Sequence, residues 1–208
     1  MNMKMMIRMT VVAAAAASAA LGSGCAMFRA NVQDVNVAQP QHLNAGYDFT
    51  DLRKLSETVA TDLVGAPFLG RLTEPPVMMI AGVQNRTKEY LDTKNLTDRM
   101  RSLIFPTGRM RFVNESRRDD ILKEQGFSAQ NATPESQAAV GKILGAKFMI
   151  SGSLTEMDDS TLRQARVSKT KIKYYKLTVE VSDIQSSELM WTKDYEIARA
   201  ERTPLIGW

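Results

Sequence analysis

The sequence has few of the residues that most often carry chemistry. Among 208 residues there is one cysteine, Cys25, and one histidine, His42. A single cysteine excludes an internal disulfide, a two-cysteine redox pair and a multi-thiolate metal site. The HExxH, GxSxG and phosphate-loop motifs are absent as well. His42 lies in a polar segment with no evident partner, so we predict no catalytic residue, metal site or cofactor. The acid pairs Asp119-Asp120 and Asp158-Asp159 are typical of solvated surface.

The apolar run near the N-terminus, Val11–Leu21, is too short to cross a bilayer, which takes about 20 residues. Lys4 and Arg8 precede it and Gly22-Ser23-Gly24 follow it, which is the layout of a secretory signal. Cys25 comes next and resembles the cysteine of a bacterial lipobox, although Leu21 stands one position earlier than is usual. We predict a lipoprotein signal peptide over residues 1–24 and lipidation of Cys25. The alternative is an ordinary secretory signal cut near Ala26.

Removal of residues 1–24 leaves 184 residues, enough for one domain with a core of its own. Loss of Lys4 and Arg8 leaves 25 basic residues against 23 acidic ones, so the net charge falls from +4 to +2. Such a chain is not typical of nucleic-acid binders. Residues 25–46 are polar and predict a lipid-anchored flexible tether. Fully extended at roughly 3.3 Å per residue, it would reach about 70 Å. Residues 47–208 predict a globular domain.

Alternating helix and strand signals run through this domain. Helix starts are predicted at Asp48 or Thr50, at Asp92 or Thr93, near Glu115, and at Thr133-Pro134, where Ala139, Val140, Ile143 and Leu144 form the apolar stripe. Strands are predicted at Val77–Val83, Arg109–Val113 and Lys147–Leu154, followed by a hairpin turning at Asp183–Ser187. The polar stretch Asp158–Thr170 is predicted to be a mobile loop. The sum is a single α/β (α+β) domain with a three- to five-stranded mixed sheet and about four helices, mainly on one face.

Two polar segments are candidate docking sites. Six basic residues without an acid lie between Arg163 and Lys176, interleaved with Tyr174, and such a patch can steer an acidic partner. The alternative is a solvated loop and the outer face of an edge strand. The second segment is a predicted turn after the first strand. The partner-binding residues we predict are Gln84, Asn85, Arg86, Thr87, Arg166, Lys169, Lys171, Lys173 and Tyr174.

The order of several motifs resembles one family. They are Val83-Gln84-Asn85-Arg86-Thr87, Leu91-Asp92-Thr93, Gly108–Val113, Leu144–Ser153 and Tyr174–Trp191, with the first helix before them. Together they resemble the LpoB-type activators of penicillin-binding proteins over roughly Tyr47 to Arg199. The resemblance implies a domain similar to the N-terminal domain of TolB.

The resemblance also implies a function. Members of this family are outer-membrane lipoproteins that are not enzymes. They reach through the peptidoglycan to a bifunctional (class A) penicillin-binding protein and stimulate its peptidoglycan synthesis. Ala26, which follows Cys25 where an aspartate commonly causes inner-membrane retention, agrees with an outer-membrane location facing the periplasm. We expect a monomer with an envelope protein as its partner. The alternative is an assembly lipoprotein of an envelope or secretion-channel complex, which would form a stable homo-oligomer.

Overall fold

The computed structural model describes residues 32–124, 133–160 and 168–204. The chain divides into two compact units, Met1–Ala38 and Gln39–Trp208. In the first unit, the described residues 32–38 are exposed and form no helix or strand. The second unit holds every element named below and begins upstream of the predicted boundary at Tyr47. The predicted signal peptide, Cys25 and Arg166 lie outside the described residues. Within the described ranges, no helix is long and apolar enough to cross a membrane.

A five-stranded mixed sheet forms the centre of the second unit. Its strands, in the described residues, are β1 Val77–Arg86, β2 Arg111–Phe112, β3 Phe148–Ser160, β4 Ser168–Asp183 and β5 Leu189–Pro204. Their order across the sheet is β2-β1-β3-β4-β5. β1 runs parallel to both β2 and β3, whereas β3, β4 and β5 are successively antiparallel. The predicted mixed sheet and the predicted hairpin are therefore confirmed.

The described part of the chain contains four α-helices: α1 Phe49–Val64, α2 Thr93–Ile104, α3 Glu115–Glu124 and α4 Pro134–Ile143. Short 3-10 turns at Leu69–Arg71 and Phe105–Thr107 follow α1 and α2. Asp48 caps α1, because its carboxylate accepts from the Thr50 and Asp51 amides while Asp51 accepts from the Asp48 amide. Asp92 and Thr133 are simple N-caps of α2 and α4, because their side chains accept from the Lys94 and Ser136 amides. These starts agree with the predictions.

One face of the sheet is covered by α1 and α2. The helices contribute Leu55, Val59 and Leu63 from α1 and Leu96, Met100 and Ile104 from α2. Across from them the strands bury Met78, Ile80, Phe148, Ile150, Leu154, Tyr175, Leu177, Val179 and Val181. Burial of these apolar side chains is the main source of stability, at about 25 cal/mol for each Å² removed from water. We call this side the core face.

Helix α4 packs on the opposite face of the sheet, and here one predicted detail is wrong. Its buried positions are Gln137, Val140 and Gly141, whereas Ala139 and Ile143 of the predicted stripe are exposed, Ile143 by 60%. A side chain on Gly141 would meet Ile184 Cδ1 at 2.7 Å and Met79 at 3.3 Å. The close approach at Gly141 turns the helix toward Met79, so Ile143 faces away from the sheet.

Three strands extend further than predicted. β1 continues to Arg86, so Gln84, Asn85 and Arg86 belong to a strand and not to the predicted turn. β3 and β4 also extend into the predicted loop at Asp158–Thr170, as Asp158 pairs with Lys173 and Ser160 pairs with Lys171. Backbone hydrogen bonds between β3 and β4 outweigh the polar character of these residues, because each strand offers its N–H and C=O groups to the other. Residues 161–167 of that loop lie outside the described part.

The last residues of the predicted tether lie against the domain. We call residues Gln41–Gly46 the strap. The Gln41 amide donates to Thr50 Oγ1 at 3.1 Å, and the Ala45 amide donates to Glu201 Oε2 at 3.2 Å. Arg199 Nη1 donates to the Gly46 carbonyl at 2.8 Å, and Ala45 is buried. His42 also has a partner that the sequence did not indicate, since its Nδ1 lies 2.6 Å from Asp48 Oδ2.

Candidate docking surface

The second face of the hairpin strands stays largely uncovered in the described part of the chain. Lys173, Tyr175, Leu177, Val179 and Val181 of β4 are buried on the core face. Because side chains alternate along a strand, the residues between them project to the opposite side, which we call the open face. It is formed by Ile172, Tyr174, Lys176, Thr178 and Glu180 of β4, together with their neighbours on β1, β3 and β5.

A β-bulge in β1 brings two predicted docking residues to the open face. Met78 and Ile80 are buried on the core face, but the next buried core residue is Val83, three positions later. The register with β3 shifts between Ile80 and Gly82, and Gly82 has a φ of 108°. Glycine adopts this conformation at little cost. After the shift, Gln84 pairs with Ser153 and Arg86 with Thr155, on the open face.

Asn85 and Thr87 have a structural role on the other side of β1. Asn85 Nδ2 donates to the Glu89 carbonyl at 2.8 Å and to the Leu91 carbonyl at 3.3 Å. Its Oδ1 accepts from the Thr87 amide at 3.0 Å and from Thr87 Oγ1 at 2.7 Å. These bonds fix the turn that leads into α2. Of the four predicted residues in this segment, Gln84 and Arg86 are therefore the ones on the open face.

The end of the open face that is farthest from the β4–β5 turn is apolar. Met157 is 67% exposed and Ile172 is 40% exposed. The register places Met157 beside Tyr174, and Tyr174 beside Ala198 on β5. Ile172 pairs with Ala200 in the same way. A methionine, an isoleucine and a tyrosine on one exposed surface are typical of the apolar centre of a protein interface. We call these five residues, Met157, Ile172, Tyr174, Ala198 and Ala200, the apolar patch.

Charged groups surround the apolar patch. Lys176 Nζ lies 3.7 Å from Asp194 Oδ2, and Thr178 Oγ1 donates to Asp194 Oδ1 at 2.6 Å. A hydrogen bond to Glu196 raises the pKa of Tyr174 above its ordinary value. An apolar centre within a polar rim is the usual anatomy of a reversible interface.

A polar groove of about 650 Å³ lies on the same face of the sheet, where the N-terminus of α4 meets β1 and β3. Gln84, Arg86, Ser151, Ser153 and Glu180 are among the residues that line it. Gln137 of α4 is buried at its wall, and its Oε1 has no hydrogen-bond partner among the described residues. The groove thus offers hydroxyl and amide groups with one cation and one anion, which suits hydrogen bonding to a polar partner surface.

Lys173 is not part of the docking surface, which corrects the prediction. It is 6% exposed, and its Nζ contacts the carboxylate of Glu89 and lies 3.4 Å from Tyr175 Oη. Burial acts to lower the pKa of Lys173, but the hydrogen bonds with Glu89 and Tyr175 outweigh it, so the pKa is raised. Lys171, two positions away on β4, projects to the same side as Lys173.

The remaining predicted residues are dispersed. The backbone of Lys169 pairs with Thr203 of β5, and Arg166 lies outside the described residues. Gln84, Arg86 and Tyr174 are the predicted residues that the structure brings to one surface. Sequence reasoning missed Met157 and Ile172, although the alternation of β4 continues from Tyr174 to Ile172. The predicted alternation begins at Tyr174, after the predicted loop over residues 158–170, so it does not include Ile172.

One group of metal-ligand residue types occurs among the described residues: His42, Asp48 and Asp51. Each carboxylate already has a structural partner. Arg199 Nη2 lies 2.6 Å from Asp51 Oδ1, and Arg199 Nη1 lies 3.5 Å from Asp48 Oδ2. Asp48 also caps α1. The guanidinium of Arg199 supplies the positive charge here, and the group holds the strap to β5.

Comparison with known proteins identifies relatives of this domain. The sequence model of one family, described as peptidoglycan-synthase activator LpoB, matches residues 51–197. The LpoB C-terminal domain from Salmonella enterica is 16% identical and covers 71% of this chain and 98% of its own, with a TM-score of 0.54. That from Escherichia coli is 18% identical and covers 65% of this chain and 98% of its own, with a TM-score of 0.47. The Salmonella structure shows a shared fold. A comparison with curated protein sequences finds no match.

Proposed function

Since the chain belongs to the peptidoglycan-synthase activator LpoB family, we propose that it is a non-catalytic lipoprotein that binds a bifunctional penicillin-binding protein and stimulates peptidoglycan synthesis. The observation that supports a docking role is the open face. A sheet whose other side is covered by two helices leaves Met157 and Ile172 exposed beside the half-buried Tyr174. Exposed apolar clusters with a polar rim mark interaction sites on soluble domains.

The open face acts by binding, and the chemistry remains with the synthase. An activator shifts its partner toward an active conformation only if it binds that conformation more tightly. A tenfold shift requires a difference of about 1.4 kcal/mol in binding free energy. Burial of one tyrosine and its apolar neighbours can supply such a difference, since hot-spot side chains contribute about 2 kcal/mol or more.

The anchor in this proposal is a lipid on Cys25, with the domain facing the periplasm from the outer membrane. Because the strap begins at Gln41, the tether between the proposed lipid and the strap is residues 26–40. At roughly 3.3 Å per residue it reaches about 50 Å when fully extended. A relaxed chain of this length spans about 20 Å. The reach therefore favours a synthase whose docking domain itself extends toward the outer membrane.

The test is a reconstituted assay of glycan polymerisation by a class A penicillin-binding protein, with the acylated full-length chain in detergent. We expect wild type to raise the rate. Tyr174→Ala combined with Arg86→Glu should reduce the stimulation about tenfold, in line with loss of an interface anchor and a reversed charge. Tyr90→Ala is the matched control, because Tyr90 is fully exposed and lies in the loop between β1 and α2, outside the sheet.

Two results would contradict parts of this proposal. Equal stimulation by the double variant and by the Tyr90→Ala control would remove the open face as the docking surface. No stimulation by wild type, together with a stable homo-oligomer in light scattering, would support the assembly lipoprotein instead. The two results are distinct, because the first leaves the activity intact and the second does not.

A further inference from the structure

A second exposed groove lies at the β2 edge of the sheet, which is the edge opposite to β5. It has a volume of about 630 Å³ and is lined by Arg101, Ser102, Phe105, Phe112, Val113, Asn114 and Ser116. Phe105 is 65% exposed, although it directly follows the buried Ile104 of α2. Phe105 begins the 3-10 turn Phe105–Thr107, which ends at Gly108 with a φ of 65°. The ring of Phe105 is left beside the groove and not in the core. We call this site the Phe105 groove.

The segment that forms the Phe105 groove is strongly basic. Residues 99–118 contain six arginines and one acid, Glu115. Three of the arginines have nearby acids: Arg99 with Glu57, Arg101 with Asp98 and Arg118 with Asp119. The other three, Arg109, Arg111 and Arg117, are exposed, and no ion pair among the described residues engages them.

Two of these three arginines are close in sequence to residues that line the groove, whereas the third, Arg111, donates from Nε to the Pro75 carbonyl at 3.1 Å. Arg109 comes after the 3-10 turn that carries Phe105, and Arg117 follows Ser116. Three apolar and four polar residues line the groove, and the segment that forms it is basic. A partner that fits it carries negative charges around an apolar side chain, since complementary charge increases the association rate and excludes like-charged competitors.

The backbone of β2 adds a third recognition element. The Arg111 amide donates to the Pro76 carbonyl at 2.9 Å, and the Val113 amide donates to the Met78 carbonyl at 2.9 Å. Both bonds point inward to β1. In a parallel ladder the residue between them, Phe112, directs its N–H and C=O away from that neighbour. β2 is an edge strand, so these groups are positioned to pair with an added chain segment.

We propose that the Phe105 groove binds an extended, acidic segment of a partner protein. An aromatic or long aliphatic side chain of that segment packs against Phe105, its carboxylates face Arg109 and Arg117, and its backbone pairs with Phe112. This surface is separate from the open face and does not depend on it. It gives the domain two docking surfaces, one at the β2 edge and one on the hairpin.

The test uses the full-length acylated protein in detergent and a fluorescein-labelled heptapeptide with one central phenylalanine among six acidic residues. Fluorescence anisotropy should report binding. We expect Phe105→Ser to weaken it about tenfold, as does a peptide with a central serine. Arg109→Glu with Arg117→Glu should weaken it further and reduce its salt dependence. Tyr90→Ser and Lys142→Glu are the matched controls, being exposed and outside the groove.

Hydrogen exchange provides a second readout that does not depend on a variant. Exchange of the Phe112 amide should slow when the peptide binds, because its N–H becomes paired. Three results would overturn the proposal: no binding at about 1 mM peptide, equal binding of the serine peptide, or an equal loss in Tyr90→Ser and Phe105→Ser. Phe105-dependent binding to phosphatidylglycerol vesicles without peptide binding would also overturn it, in favour of a lipid surface.

Discussion

Lys173 and Glu89 form an ion pair on the core face, next to the hydroxyl of Tyr175. The Tyr47 amide donates to that hydroxyl at 3.1 Å, so the pair also connects the start of α1 to β4. Burial acts to raise the pKa of Glu89, but hydrogen bonds from Lys173 and Tyr175 outweigh it and hold the pKa below its ordinary value. A buried charge that loses its partner is strongly destabilising. The pair is therefore a constraint on the core and not a binding feature.

Glu89→Gln should lower the free energy of unfolding at pH 7 by about 2 kcal/mol, because Lys173 keeps its charge but loses the nearer of its two carboxylates and retains Asp158 Oδ1 at 3.9 Å. A carboxyl whose folded-state pKa is depressed contributes stability above its unfolded pKa, and loses it as pH falls through the folded value. Wild type should thus lose stability as the pH drops below about 4.5, the ordinary pKa of the group. The variant should show a flatter dependence in urea unfolding at pH 7, 5 and 3.

Glu74→Gln is the control for this change, since Glu74 is exposed. It should match wild type at every pH. If Glu89→Gln also matched wild type, the ion pair would contribute no net stability.

Helix N-caps could be predicted from the sequence, because their hydrogen bonds join residues only a few positions apart. Asp48, Asp92 and Thr133 were predicted as caps because the bonds they make reach two or three residues along the chain. Lys173 was placed at the surface because a lysine is rarely buried. Its partner Glu89 is 84 positions away. No local pattern indicates that pairing, and the alternation with Tyr175 was the one signal that Lys173 faces the core.

At the scale of elements, the bulge at Gly82 decides which β1 residues reach the open face. Without it, Gln84 and Arg86 would continue the alternation of Met78 and Ile80 and would face the core. One extra residue in a strand reverses the side for every residue after it. The apolar run Val77–Val83 gave no sign of this reversal, since strands buried on both faces lack alternation.

Gly82→Ala should lower the free energy of unfolding by about 1–2 kcal/mol, because a side chain at a φ of 108° is strained. The cost is conformational and not steric, as no atom lies within 4 Å of the added Cβ. Gly70→Ala is the matched control, with the same open space and no positive φ. Urea unfolding of the two variants compares them directly. Equal stability would mean that the bulge does not require glycine.

The strap is a second element whose position depends on distant residues. Arg199 of β5 contacts Asp51, Asp48 and the Gly46 carbonyl at once. Only a guanidinium presents donors in this fork, so lysine cannot replace it without loss. Sequence reasoning assigned these strap residues to a flexible tether because they are small and polar. Their contacts come from the far end of the chain.

Arg199→Lys should release the strap while the sheet stays intact. We expect hydrogen exchange at the Gln41 and Ala45 amides to quicken about tenfold, the equivalent of about 1.4 kcal/mol. Amides in the centre of β4 should keep their protection. Arg71→Lys is the control, because Arg71 is exposed and distant in the chain from the strap. Unchanged exchange in Arg199→Lys would show that the other strap bonds suffice.

At the scale of the whole molecule, the lipid on Cys25 and the strap together set where the domain can bind. The strap fixes the point at which the chain leaves the domain, at Gln41 beside α1 and β5. Two docking surfaces at different places on the sheet would then be reached from one anchor point. The tether between Cys25 and the strap is short, so its length selects partners by their distance from the membrane.

Cys25→Ser should move the protein from the membrane fraction to the soluble fraction, because acyl chains supply the membrane affinity in this proposal. The denaturant midpoint should stay the same, since the core lies within Gln39–Trp208.

Mass spectrometry of the wild-type N-terminus separates the two signal hypotheses: an acylated cysteine supports lipidation, and an N-terminus near Ala26 supports ordinary secretion. Retention of Cys25→Ser in the membrane fraction would contradict the lipid anchor. Light scattering of the soluble variant should give a monomer, as an activator with two separate docking surfaces does not need a second copy.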